Sequence, residues 1–218
     1  MTLADPPGLP VLHNRTYEVR SYKESDNRMR IRGKVHDVKP GGLYFLQGDE
    51  PLSMHEMVID IVIDFPSLVI VEAGLVMETH PHRECTKIVD HYANLVGLSI
   101  TRGFTHKVRE LFGGPRGCTH TTALLQAMAP VAIQSLWSMM PPDNETPVAL
   151  GQRPDPEVVR ARIGRNMNTC HVWAQDGPMF ARLDQGDDLP PPLWAERRLA
   201  ELGLGLDEWY ARETGQST

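Results

Sequence analysis

Long apolar runs are missing from this chain. No uninterrupted stretch reaches the roughly 20 residues that a membrane-spanning helix requires, so a membrane partner is not expected. Blocks of lysine and arginine are missing as well, and the net charge is -6, which argues against nucleic acid or anionic lipid as the main partner. Aromatic residues are sparse. Cysteine occurs three times, at positions far apart, which makes no disulfide framework and fits a reducing cytoplasm. The opening Met1-Thr2-Leu3-Ala4-Asp5-Pro6-Pro7 has neither a basic start nor an apolar core of the kind that directs export. What is present is an ordinary globular composition, 41% hydrophobic and 23% charged over 218 residues, enough for one sizeable core. The expectation is a main α+β domain over 1–140 and a C-terminal segment, 141–218, that packs on the same domain or on a partner subunit. A homodimer is favoured, because the tail carries Trp194, Leu199, Leu202, Trp209 and Tyr210 and must bury them somewhere.

Several catalytic templates also lack their parts. There is no Gly-x-Gly-x-x-Gly behind a strand, no phosphate-binding Gly-x-x-x-x-Gly-Lys-Ser/Thr, no Gly-x-Ser-x-Gly and no His-Glu-x-x-His. Dinucleotide, nucleoside triphosphate, serine hydrolase and zinc protease chemistries are therefore poor readings.

The pattern along the chain is clearer. Between Arg15 and Lys39 the residues alternate, with Met29, Ile31, Gly33 and Val35 on one side and Arg28, Arg30, Arg32 and Lys34 on the other. That period predicts a half-buried strand with a basic outer face, read as a solvated sheet surface or as a rim for an anionic substrate. His55 to Asp64 alternates in the same way, and Leu68 to Met77 follows a Phe65-Pro66-Ser67 turn, which predicts an antiparallel hairpin. His55 shares the register of Met57, Ile59, Ile61 and Ile63, so it is either a core histidine or a base with a shifted pKa. An amphipathic helix is expected around Ile88, Tyr92, Leu95 and Val96, with Lys87, Asp90, His91 and Asn94 in solvent, and a second around Phe104, Val108, Leu111 and Phe112. His80, His82 and Cys85 invite a zinc reading. Structural zinc sites pair two such groups at tight spacing, and Cys118, His120, Cys170 and His171 would have to be brought in by the fold. No metal or other cofactor is assigned.

Gly113-Gly114-Pro115-Arg116-Gly117-Cys118-Thr119-His120 breaks one element and opens a long helix, apolar around nearly its whole circumference and interrupted by Pro130. Unpaired amides and the helix dipole at such a start favour a neutral imidazole at His120. Beyond Met140 the five prolines between Pro141 and Pro156 predict a loop, Asp155 to Arg165 a short charged helix, and Asn168 to Trp173 an extended return. Two short helices, about Leu193 to Leu202 and Leu206 to Glu213, close the chain.

The order Asp37-Val38-Lys39, then Met54-His55-Glu56-Met57, Gly97 and Gly117-Cys118-Thr119-His120 with Leu124-Leu125 resembles a bacterial domain-of-unknown-function family marked by a Gly-Cys-Thr-His helix start. The similarity runs from about Arg15 to Cys170. Two positions depart from the family pattern: Thr121 stands where a leucine is usual, and Met54-His55-Glu56-Met57 replaces Leu-His-Asp-Met. The resemblance extends to a phenylcoumaran γ-formaldehyde lyase of lignin-derived dimer breakdown. It implies a cofactor-independent carbon–carbon lyase for a small aromatic substrate, with His120 or His55 as base, Lys39 steadying a phenolate and Asp37 orienting a partner. Cys118 would have a structural or polarising role, and Met57, Met128 and Trp137 would line an apolar slot. The competing expectations are a non-catalytic small-molecule-binding or accessory protein, and a metal-dependent enzyme using His80, His82, Cys85, Cys118 and His120.

Overall fold

The computed structural model describes residues 3–42, 48–101, 103–139, 160, 163–164, 166–207 and 209, without the side chain of Trp137. Two compact units divide at residue 140. The first is α+β. Strands β1 (Asn14–Ser25), β2 (Arg28–Lys39), β3 (Leu52–Asp64) and β4 (Val69–Thr79) form one antiparallel sheet in the order β1-β2-β3-β4. The segment expected as one alternating strand is thus a hairpin, folded at Asp26-Asn27. A polar Asp-Asn pair reverses a chain more readily than it extends one.

Alternation decides which face is buried. Met29, Ile31 and Val35 of β2, Met57, Ile59, Ile61 and Ile63 of β3, and Ile70, Leu75 and Met77 of β4 form the inner face. Against it lies helix α2 (Thr119–Met139), whose Leu124, Leu125, Met128, Ala129 and Ala132 make a stripe at helical spacing. This stripe corrects the expectation of burial all round, because Ile133 on the other side is 37% exposed. The helix sits close to the sheet at Gly33, where an added Cβ would come within 2.7 Å of Met128 Sδ. A short helix α1 (Phe104–Phe112) and a 3₁₀ helix (Arg83–Leu95) complete the layer, contributing Phe104, Val108, Phe112, Tyr92 and Leu95 to the core.

On the outer face the four cations of β2 do not form an open basic rim. Arg30 pairs with Glu24 and Asp60, Arg32 with Asp60, Lys34 with Glu56, and Arg28 lies 3.6 Å from Glu72. Acids on both neighbouring strands and on β4 answer each charge, as cross-strand pairing favours.

In the second unit, α3 (Pro178–Gln185) and α4 (Leu193–Glu201) are the regular elements. Phe180 is buried with Trp173 edge-on at 6.2 Å. The extended piece expected at Asn168 to Trp173 is instead a turn and a short 3₁₀ helix (His171–Trp173), with Asn168 in the left-handed region at φ 59°. The expected loop over 141–156 lies outside the described residues, as do most of the helix expected over 155–165 and the end of the last one.

Candidate functional site

Alternation does not stop at Val35. Two residues further along the buried register of β2 stands Asp37, a carboxylate with no exposed surface. Strand pairing places Arg15 of β1 directly opposite it on one side and His55 of β3 on the other. Next to His55 the register slips, from Asp37↔His55 to Val38↔Ser53, so that Met54 bulges out; bulges of this kind re-aim side chains.

Arg15 donates to both oxygens of Asp37, Nε to Oδ1 at 2.5 Å and Nη2 to Oδ2 at 2.6 Å. His55 Nδ1 hydrogen-bonds Oδ2 at 3.1 Å. From the start of α2, His120 brings Nε2 to 3.2 Å from the same oxygen, and the two imidazoles stack with centroids 3.8 Å apart. His13, one residue before β1, places Nε2 3.4 Å from Oδ1. Burial alone pushes the Asp37 carboxyl up, but the hydrogen bonds and charge of Arg15, with His120 and His13, reverse this and hold it at about 2. Asp37 is therefore an anion at neutral pH.

An ionised carboxylate fixes tautomers, since each ring facing it is stabilised by presenting N–H. On that assignment the basic nitrogens are His55 Nε2 and His120 Nδ1. His120 Nδ1 lies 3.4 Å from Cys118 Sγ, whose S–H it can accept, whereas His55 Nε2 has no hydrogen-bond partner among the described residues. His120 is held neutral by a lowered pKa, first through burial and then through His55 and Arg15, with Asp37 opposing. Burial leads here, rather than the helix-start field.

The start of α2 is anchored by a closed ring of hydrogen bonds. Cys118 N–H donates to Tyr92 Oη at 3.2 Å, the Tyr92 hydroxyl meets Thr121 Oγ1, and Thr121 Oγ1 donates to the Cys118 carbonyl at 3.0 Å. Tyr92 and Thr121 are both buried, and burial is the main cause of the raised pKa of the phenol. Gly117 is required by close approach, because a Cβ there would lie 2.3 Å from the Phe112 carbonyl oxygen.

Of the residues expected at a site, Asp37, His55, His120 and Cys118 come together. Lys39 stands two residues beyond Asp37 on β2, opposite Leu52. Met57 and Met128 are 1% and 0% exposed and fill the core beneath α2, so they line no opening; large apolar side chains on the inner register are needed there for packing. The side chain of Trp137 lies outside the described residues. A groove of about 400 Å³ beside Gly113, Gly114, Thr119 and Gln126 runs along another flank of α2 and contains none of the clustered residues. Among the described residues, Asp37, His55 and His120 are the group whose ligand atoms, all within 4.8 Å of one another, could hold a metal ion. His80 Nδ1 instead meets the His82 carbonyl at 2.9 Å, on the surface. Arg15, His13, Tyr92 and Thr121 were not expected at a site from sequence. Arg15 had a usable signal, for a hairpin folded at Asp26-Asn27 pairs it with Asp37.

A four-stranded meander crossed by one long helix, with a buried carboxylate–histidine cluster where they meet, is the architecture. Residues 13–134, more than half of the chain, match the family described as protein of unknown function (DUF2889), and the chain belongs to it. The match opens on His13 and ends inside α2, so it encloses the whole cluster. No curated protein matches the chain, and no solved structure does. No helix among the described residues is long and apolar enough to cross a membrane.

Proposed function

We propose that the protein is a cofactor-independent lyase that releases formaldehyde from the hydroxymethyl group of a phenylcoumaran-type, lignin-derived aromatic dimer. The observation that carries this reading is the buried, ionised Asp37 holding His55 by Nδ1, which turns Nε2 outward as a general base. The resemblance to the lyase supplies the substrate class. His55 Nε2 takes the proton of the primary alcohol, and the carbon–carbon bond to the hydroxymethyl group breaks as formaldehyde departs. The freed electron pair forms a double bond to the neighbouring carbon, whose ether bond then opens to a phenolate. Asp37 steadies the imidazolium, and the neutral His120 stacked on it adds no competing charge. Lys39 and Arg15 are cations at this end of the sheet for the phenolate.

A metal-dependent enzyme is the second reading, favoured by the spacing of Asp37, His55 and His120. Arg15 weighs against it, because its guanidinium already occupies both oxygens that a cation would need. A non-catalytic binding module is the third. Incubation with a β-5 linked dimer and assay of formaldehyde separates them. The wild-type protein is expected to turn over with no metal found by elemental analysis, and His55→Gln to lose about 10²- to 10⁴-fold in rate while keeping its fold. Binding of the dimer without formaldehyde refutes the lyase, and stoichiometric metal required for turnover moves the assignment to the second reading.

A further inference from the structure

The two oxygens of Asp37 are used differently. Oδ2 meets the stacked pair His55 and His120, whereas Oδ1 meets His13, and Arg15 donates to both. His13 is the most open of the three imidazoles, with its side chain 36% exposed against 17% and 16% for His55 and His120. Its Nδ1 has no hydrogen-bond partner among the described residues. Arg15, two residues further along, cannot serve as a proton donor because a guanidinium does not give up its proton in a protein.

We propose that His13 is a catalytic residue, the general acid that delivers a proton to the phenolic oxygen as the ether ring opens. The inference rests on the lyase reading and deepens it, by dividing the site into a base on one oxygen of Asp37 and an acid on the other. The proton count closes. The alcohol O–H gives its proton to His55 Nε2, the carbon–carbon and carbon–oxygen bonds break, one carbon–oxygen and one carbon–carbon double bond form, and protonated His13 supplies the phenol O–H. Substrate and products together have the same atoms and oxidation level, and exchange with water returns the proton from His55 and restores it to His13. The placement suits the role, since the phenolic ring stays bonded within the ring-opened dimer, the bulkier of the two products, and the more open side gives that product room.

The test uses dependence on the leaving group. Two β-5 dimers are compared, one with an ordinary phenol as the leaving oxygen and one whose phenol is made acidic by an electron-withdrawing substituent. His13→Gln is expected to slow formaldehyde release from the first by about 10²- to 10⁴-fold and from the second at least about tenfold less, because an acidic phenol departs without protonation. His13→Asn serves as a second variant should the first fold poorly, and circular dichroism checks both. An equal loss on both substrates, or no loss, overturns the assignment while leaving the lyase in place. A wild-type protein that releases formaldehyde from neither dimer removes the lyase reading and His13 with it.

Discussion

Two of the arginine–aspartate pairs directly opposed across neighbouring strands are also ion pairs, Arg32 with Asp60 and Arg15 with Asp37. The first lies on the outer face, its side chains 58% and 22% exposed, within a ladder of alternating charges. The second lies on the inner face, at 34% and 1%, where Asp37 also meets three histidines. The chemistry of the two pairs is the same, and the register differs by one face. Water screens the outer pair, which then serves solubility and strand pairing. Withdrawn from water, the inner pair gives the protein a fixed negative charge on which imidazoles can be aligned.

The largest expected effect separates the two pairs by stability. Asp37→Asn leaves Arg15 without its counter-charge in a partly buried setting and is expected to cost about 3–5 kcal/mol in urea unfolding. A cost near that of an outer-face variant would show that burial makes no difference to this pair. Next comes the neutral polar ring behind the histidines: Tyr92→Phe removes the hydroxyl that links Cys118 to Thr121 and should cost about 1–3 kcal/mol. Thermal melting of that variant against Thr121→Val tests whether the ring acts as a unit, since the double variant should then cost less than the sum.

Acidity sharpens the contrast further. Asp37 has a folded pKa of about 2 against an ordinary 3.8, so its contribution to stability is complete above the ordinary value and is lost as pH falls through about 2. His120 is also lowered, from 6.5, so the unfolded chain binds the extra proton first and stability rises with pH through the window just below 6.5. Unfolding measured across both windows should lose the first dependence in Asp37→Asn and part of the second in His120→Asn. The smallest effect is assigned to the outer face, where Asp60→Asn should change stability by no more than about 1 kcal/mol and less still at high salt.

Much of the sheet can be read from alternation, because a strand with one buried face repeats apolar residues every second position and Met29 to Val35 and Met57 to Ile63 do so. The α+β class and the Leu68 to Met77 hairpin partner follow from the same signal, and the long helix from its glycine-opened start. Asp37, after the first of these apolar runs, and His55, before the second, occupy the adjoining inner positions, so the rule that places the core also places the acid and one histidine. Their meeting with His120 is different in kind, since the closeness of residues 83 positions apart is decided by how α2 lies across Gly33. His91, expected in solvent, reaches the Leu111 carbonyl at 3.1 Å for a similar reason: the segment winds as a 3₁₀ helix, which redistributes its faces. Arg15 escaped notice because a lone arginine in a polar strand is not distinctive until the turn that folds it back is located.

The shared oxygen of Asp37 has one more consequence. His55 and His120 crowd the same anionic atom in van der Waals contact, and His55 lowers the tendency of His120 to charge. A proton placed on His55 therefore makes a second one on the ring stacked against it harder to add.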